Sequence, residues 1–156
     1  MYIIYHCFGG AHSSITAACI HLGLIAENSL PTPEELLALP FYDQTTDDDH
    51  GYLRYLGDDT AGNRVFVIGR RGLKDCFVTL VQSLASLLNV SREEFLIVDT
   101  VPYVNWMMMV GGFTSRRLGW IRIGRPLVIK GTQKAFKNLV RLVQTVKSQA
   151  SGGNAR

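Results

Sequence analysis

The chain has 156 residues, 47% of them hydrophobic, and a net charge of +3, which is the length and composition of one domain with a single core. No apolar run approaches the roughly 20 residues that cross a bilayer, the start Met1-Tyr2-Ile3-Ile4-Tyr5-His6 lacks a basic secretory region, and a cytoplasmic protein is expected. Cys7, Cys19 and Cys76 are odd in number and unpaired by spacing, so neither a disulfide framework nor structural zinc is expected; the mild charge without a basic run does not indicate nucleic acid, and an anionic small molecule suits it equally well.

Residues 2–6 are apolar and rich in strand formers, and they stop at Gly9-Gly10, which predicts a short buried strand. Ser13 or Ser14 then reads as the N-cap of a helix through Ile15, Ala18, Cys19 and Leu22, ended by Gly23. Thr32-Pro33-Glu34-Glu35 is a capping signature for a short helix finishing before Pro40. Residues 41–51, with Asp43, Asp47, Asp48, Asp49 and His50, lack periodicity and predict a flexible acidic loop.

Residues 52–56 and 64–68 predict two strands around the turn residues Asp58 to Asn63. Leu73 to Leu88 has helical spacing, with Phe77, Leu80, Val81, Leu84 and Leu88 on one face. After the capping signature at Ser91, the run Phe95-Leu96-Ile97-Val98-Asp99 predicts a central strand. Val104 to Leu118 reads as a helix interrupted by Gly111-Gly112, Pro126 to Lys130 as a further strand, and Thr132 to Val146 as an amphipathic helix. The expected organisation is a domain over residues 1–147 and a frayed tail over 148–156. Its class is α/β, three-layered α/β/α, with a mostly parallel sheet plus one antiparallel hairpin. Ligands of such sheets bind beyond the carboxyl ends of the strands, where the loops after His6 and Val98 belong.

The segment Cys7-Phe8-Gly9-Gly10-Ala11-His12-Ser13-Ser14 joins the first strand to the first helix. A strand that turns on glycines into a helix leaves backbone N–H groups converging on one spot, with the helix dipole behind them, and phosphate is the usual guest. Gly9, Gly10, His12, Ser13 and Ser14 are the expected binding residues; a plain tight turn capped by Ser14 is the alternative. The segment resembles a nucleotide-binding P-loop in position, without the lysine that precedes the serine, so ATP hydrolysis is not expected. It is similar to the loop of low-molecular-weight tyrosine phosphatases, with Cys7 and Ser14 in place and Ser13 where the arginine stands. It also resembles the phosphocysteine loop of sugar phosphotransferase IIB proteins, matched by Cys7, Gly10, Ser13 and Ser14; that resemblance implies Cys7 as nucleophile, with the serines holding the phosphoryl oxygens.

With the same segment, and with Gly111-Gly112, Ser115-Arg116 and Gly124-Arg125-Pro126, the whole chain is similar to the family catalogued as domain of unknown function 3189. That resemblance implies a cytoplasmic protein of Gram-positive bacteria and carries no catalytic residue with it.

Asp99, at a strand end, is where an acid for magnesium or for proton transfer stands in α/β enzymes, and capping the next segment is its alternative role. Arg116, Arg117, Arg122 and Arg125 can reach an anion bound by the first loop or remain solvated. No transition-metal spacing is present; a nucleotide would bring Mg with it. His21 reads as a hydrogen-bonded structural residue, and Trp106 to Val110 as core packing or an exposed partner-binding patch.

The leading expectation is therefore binding of a phosphorylated small molecule or nucleotide. The alternatives are phosphoryl transfer through Cys7, with Asp99 or His12 carrying the proton, and a non-enzymatic interaction module. A homodimer stays open.

Overall fold

The computed structural model describes residues 1–74 and 76–153, and among them the α/β architecture is present. The elements are β1 (Tyr2–Cys7), α1 (Ser13–His21), α2 (Pro33–Leu37), β2 (Arg54–Asp58), β3 (Arg64–Gly69), α3 (Cys76–Leu87), β4 (Phe95–Asp99), α4 (Trp106–Gly112) and α5 (Ile121–Gly153). A π-helical turn, Phe113–Arg117, follows α4. The strands lie in the order β2-β3-β1-β4, with β1 parallel to both β3 and β4 and β2 antiparallel to β3.

Because side chains alternate along a strand, β1 serves two layers. Ile3 and Tyr5 join Val65, Val67 and Val98 against Ile15 and Ile20 of α1 and Leu139 and Val143 of α5, while Ile4 faces Ile68 and Phe77 of α3 on the other side. Every residue of α1 is buried. From β1 the chain crosses by α1 to β3 on one side, then by α3 to β4 on the other. The strand order therefore reverses beside β1, and the crevice between the ends of β1 and β4 is where such sheets take ligands.

Several expectations are corrected. Residues 126–130 form no strand: they lie inside α5, where Val128 and Ile129 are buried by helix packing rather than in a sheet. Residues 148–153 continue α5, because Leu139, Val143, Val146 and Ala150 extend one buried stripe at helical spacing; the rest of the expected tail, 154–156, lies outside the described residues. Gly111-Gly112 does not interrupt α4. A Cβ on Gly111 would stand 2.5 Å from the Val128 nitrogen, and one on Gly131 2.8 Å from the Met108 nitrogen, so these glycines let α4 and α5 cross at close range.

On α3, Phe77 is buried but Leu80, Leu84 and Leu88 are exposed, since this layer meets the sheet mainly through its first turn. The first hairpin strand begins two residues later than expected, with an irregular register between Tyr55 and Gly57. The acidic segment is folded inward: Tyr42, Asp43 and Thr45 are buried, Tyr42 Oη lies 2.7 Å from Thr132 Oγ1, and the Asp43 N–H donates to the Ala11 carbonyl.

Candidate functional site

The glycines of the first loop have a packing reason to be there. Gly10 has φ +65, and a Cβ on it would lie 2.7 Å from the Gly69 nitrogen; a Cβ on Gly69 would lie 2.8 Å from the Gly9 carbonyl. The loop thus folds directly onto the end of β3. The Gly10 N–H donates to Cys7 Sγ at 3.1 Å, and Ser14 Oγ lies 3.2 Å from the same sulfur. His12, not a serine, occupies the N-cap position of α1, with no side-chain cap. Ser13 and Ser14 are the first two helical residues, and their hydroxyls are buried and engaged. Thr100 Oγ1 donates to the His6 carbonyl, so Ser13 Oγ must donate to Thr100, 2.9 Å away. What the loop offers a ligand is the first-turn N–H groups of α1, which have no intrahelical acceptor.

Ser13, the first of these residues, lines a cavity of about 450 Å³ in the crevice between the ends of β1 and β4. Cys7, His12, Ser13 and Arg116 contribute to its polar side; Val101, Val104, Met108, Met109 and Phe113 contribute apolar walls. Arg116 and Arg117 both line it, and no carboxylate does among the described residues. Gly9 is on the lining, whereas Gly10 and Ser14 lie behind it.

Behind the polar side stands a residue that the sequence presents only as part of an acidic loop. Asp43 is fully buried, accepts from His12 Nε2 at 3.1 Å, from Ser115 Oγ at 3.0 Å and from Arg125 Nε at 2.8 Å, and its carbonyl accepts from Arg116 Nη1. Burial alone opposes its ionisation, but the bonds from His12 and Arg125 outweigh that and bring its pKa down to about 2. Asp43 thereby ties the start of α1, the π-helical turn and α5 into one frame that carries His12 and Arg116 to the cavity. The π turn adds a residue to the helical repeat there and presents Ser115 and Arg116 to Asp43 together. Arg116 keeps a buried Nε without a hydrogen-bond partner. The sequence signal for Asp43 is its isolation from the 47–49 run, directly after the aromatic pair Phe41-Tyr42.

Asp99 is not part of this cavity. It is the register partner of His6, and its Oδ1 lies 3.6 Å from His6 Nδ1 and accepts the Val101 N–H. His6 is buried against Phe77 on the α3 side of the sheet, opposite Cys7. Burial lowers the His6 pKa, with Arg70 adding to this and Asp99 opposing it. His21 is the bonded residue its helix suggests: Tyr5 Oη lies 2.8 Å from Nδ1 and Asp59 Oδ2 2.9 Å from Nε2. The Trp106–Val110 block is divided: Met107 and Met108 are buried, while Trp106, Met109 and Val110 are exposed. Among the described residues, no three His, Cys, Asp or Glu side chains are grouped to hold a metal ion, and no helix is long and apolar enough to cross a membrane.

Comparison with curated proteins and with solved structures yields no match. The family model described as protein of unknown function (DUF3189) matches residues 2–148, almost all of the sheet, the glycine loop and the glycine-packed helices, and the chain belongs to that family.

Proposed function

We propose that the protein binds a phosphate-bearing small molecule in the cavity over the Cys7–Ser14 loop. The observation that carries this reading is the chemistry of the lining: Arg116 and Ser13 at the start of α1, with no carboxylate among the described residues, at the point where the strand order reverses. Asp43 does not cancel this charge at the lining, because it is buried behind it and spent on His12, Ser115 and Arg125.

Thermal unfolding against inorganic phosphate, with chloride at equal ionic strength as control, tests the reading. At one hundred times the dissociation constant, linkage stabilises a fold by about 2.7 kcal/mol, or roughly 5–10 °C for a chain of this size. The shift should vanish in Arg116→Met and persist in Arg92→Met, whose arginine lies in the turn before β4. A phosphate shift unaffected by Arg116→Met, or none at any concentration, overturns it.

One observation favours a second reading, in which the same site transfers the phosphoryl group. Cys7 is on the cavity lining, and its Sγ is held by the Gly10 N–H and Ser14 Oγ. In that reading the thiolate attacks phosphorus, an S–P bond forms as the ester P–O bond breaks, and water then releases phosphate. Trapping of one phosphoryl group on Cys7 by acid quench, detected by mass and absent in Cys7→Ala, decides it.

A further inference from the structure

We infer that the ligand is a phosphomonoester with a compact apolar body, of the size of an aryl group, rather than inorganic phosphate or a strongly polar sugar phosphate. The inference rests on the anion reading above. A cavity of about 450 Å³ is in the range that holds an organic ligand and far exceeds what one oxyanion fills.

The lining is predominantly apolar. Donors come from His12, Ser13, Thr45, Thr46, His50, Arg116 and Arg117, while Phe8, Val101, Val104, Met108, Met109 and Phe113 supply the broad apolar surface. Phe8, Met109 and Phe113 are 60%, 61% and 56% exposed, so they stand open at the rim and would lose that exposure when a ring lies against them. A sugar or other polyhydroxyl body would strip its hydroxyls of water against these side chains with few groups to replace it. Methionine and phenylalanine instead make favourable contacts with a flat ring. A phosphate on the donors and an apolar ring against Phe8, Met109 and Phe113 satisfy both kinds of lining at once.

The test compares methylphosphonate with phenylphosphonate by calorimetric titration. The two share a head group with an uncleavable C–P bond and differ in the apolar body. Phenylphosphonate should bind at least tenfold more tightly. The double variant Met109→Ser/Phe113→Ser, whose side chains are mostly exposed and so dispensable to the fold, should lose that preference, phenylphosphonate falling to within about twofold of methylphosphonate. Equal affinities for the two probes, or a preference that survives the double variant, overturn this inference and leave the anion site standing. Failure of both probes to bind overturns the anion reading and this inference with it.

Discussion

Replacing Asp43 by asparagine removes one charge from the frame behind the cavity and turns one of its two accepting oxygens into an N–H donor. The residue has φ +51, a left-handed conformation that asparagine also tolerates, so the backbone is not additionally strained. The ionised carboxylate is held at a pKa of about 2 against an ordinary 3.8. That difference corresponds to about 2 kcal/mol of folding stability. Its sign follows from the direction of the shift. A carboxylate depressed in the folded state stabilises above its unfolded pKa, and loses that contribution as pH falls from about 4 to about 2. Asp43→Asn should therefore unfold about 2 kcal/mol more easily at pH 6, a loss of roughly 4–8 °C in Tm, with the gap to the parent chain closing below pH 4. Urea unfolding of both proteins at stepped pH reads the gap directly. A gap of the same size at pH 6 and near pH 2 would refute the electrostatic account, and no gap at pH 6 would refute the role of Asp43 as a keystone.

Two further outcomes follow from other parts of the molecule. A Cβ on Gly124 would collide with the Ser115 nitrogen and stand 2.6 Å from the Gly111 carbonyl oxygen, both backbone atoms, whereas nothing lies within 4 Å of one on Gly152. Gly124→Ala should cost about 3 kcal/mol, and Gly152→Ala should cost nothing, as measured by chemical denaturation; equal effects would refute the close helix crossing. The three thiols should separate under alkylation followed by peptide mass mapping. Cys76 is exposed and reacts first, Cys19 is fully buried with its pKa pushed up to about 12 and stays unmodified in the folded state, and Cys7, on the cavity lining, is shielded by added phosphate. Phosphate that leaves the Cys7 rate unchanged would count against an anion beside that sulfur.

The sheet was legible in the sequence because its strands are short, continuous apolar runs closed by turn residues, as at Tyr2–Cys7 and Phe95–Asp99. The run 126–130 misled for the same reason: a Pro followed by Leu-Val-Ile has strand composition, and only packing against α4 makes it helical. The first loop was legible as a glycine turn from strand into helix, but the partners of its serines were not: the hydroxyls at the first two helical positions lie against Cys7 and Thr100, the second far away in sequence. Asp43 stood apart from the 47–49 run, but its role was not legible, because its partners His12, Ser115 and Arg125 lie far away in sequence and no periodicity links them.

The core face of β1 and α1 is closed by α5, the last element of the chain, and the cavity wall arrives with α4 and the π turn just before it. During synthesis the glycine loop therefore leaves the ribosome long before the helices that wall the cavity. The cavity exists only once α4 and α5 have docked, so the proposed ligand would stabilise that docked state and not the early chain.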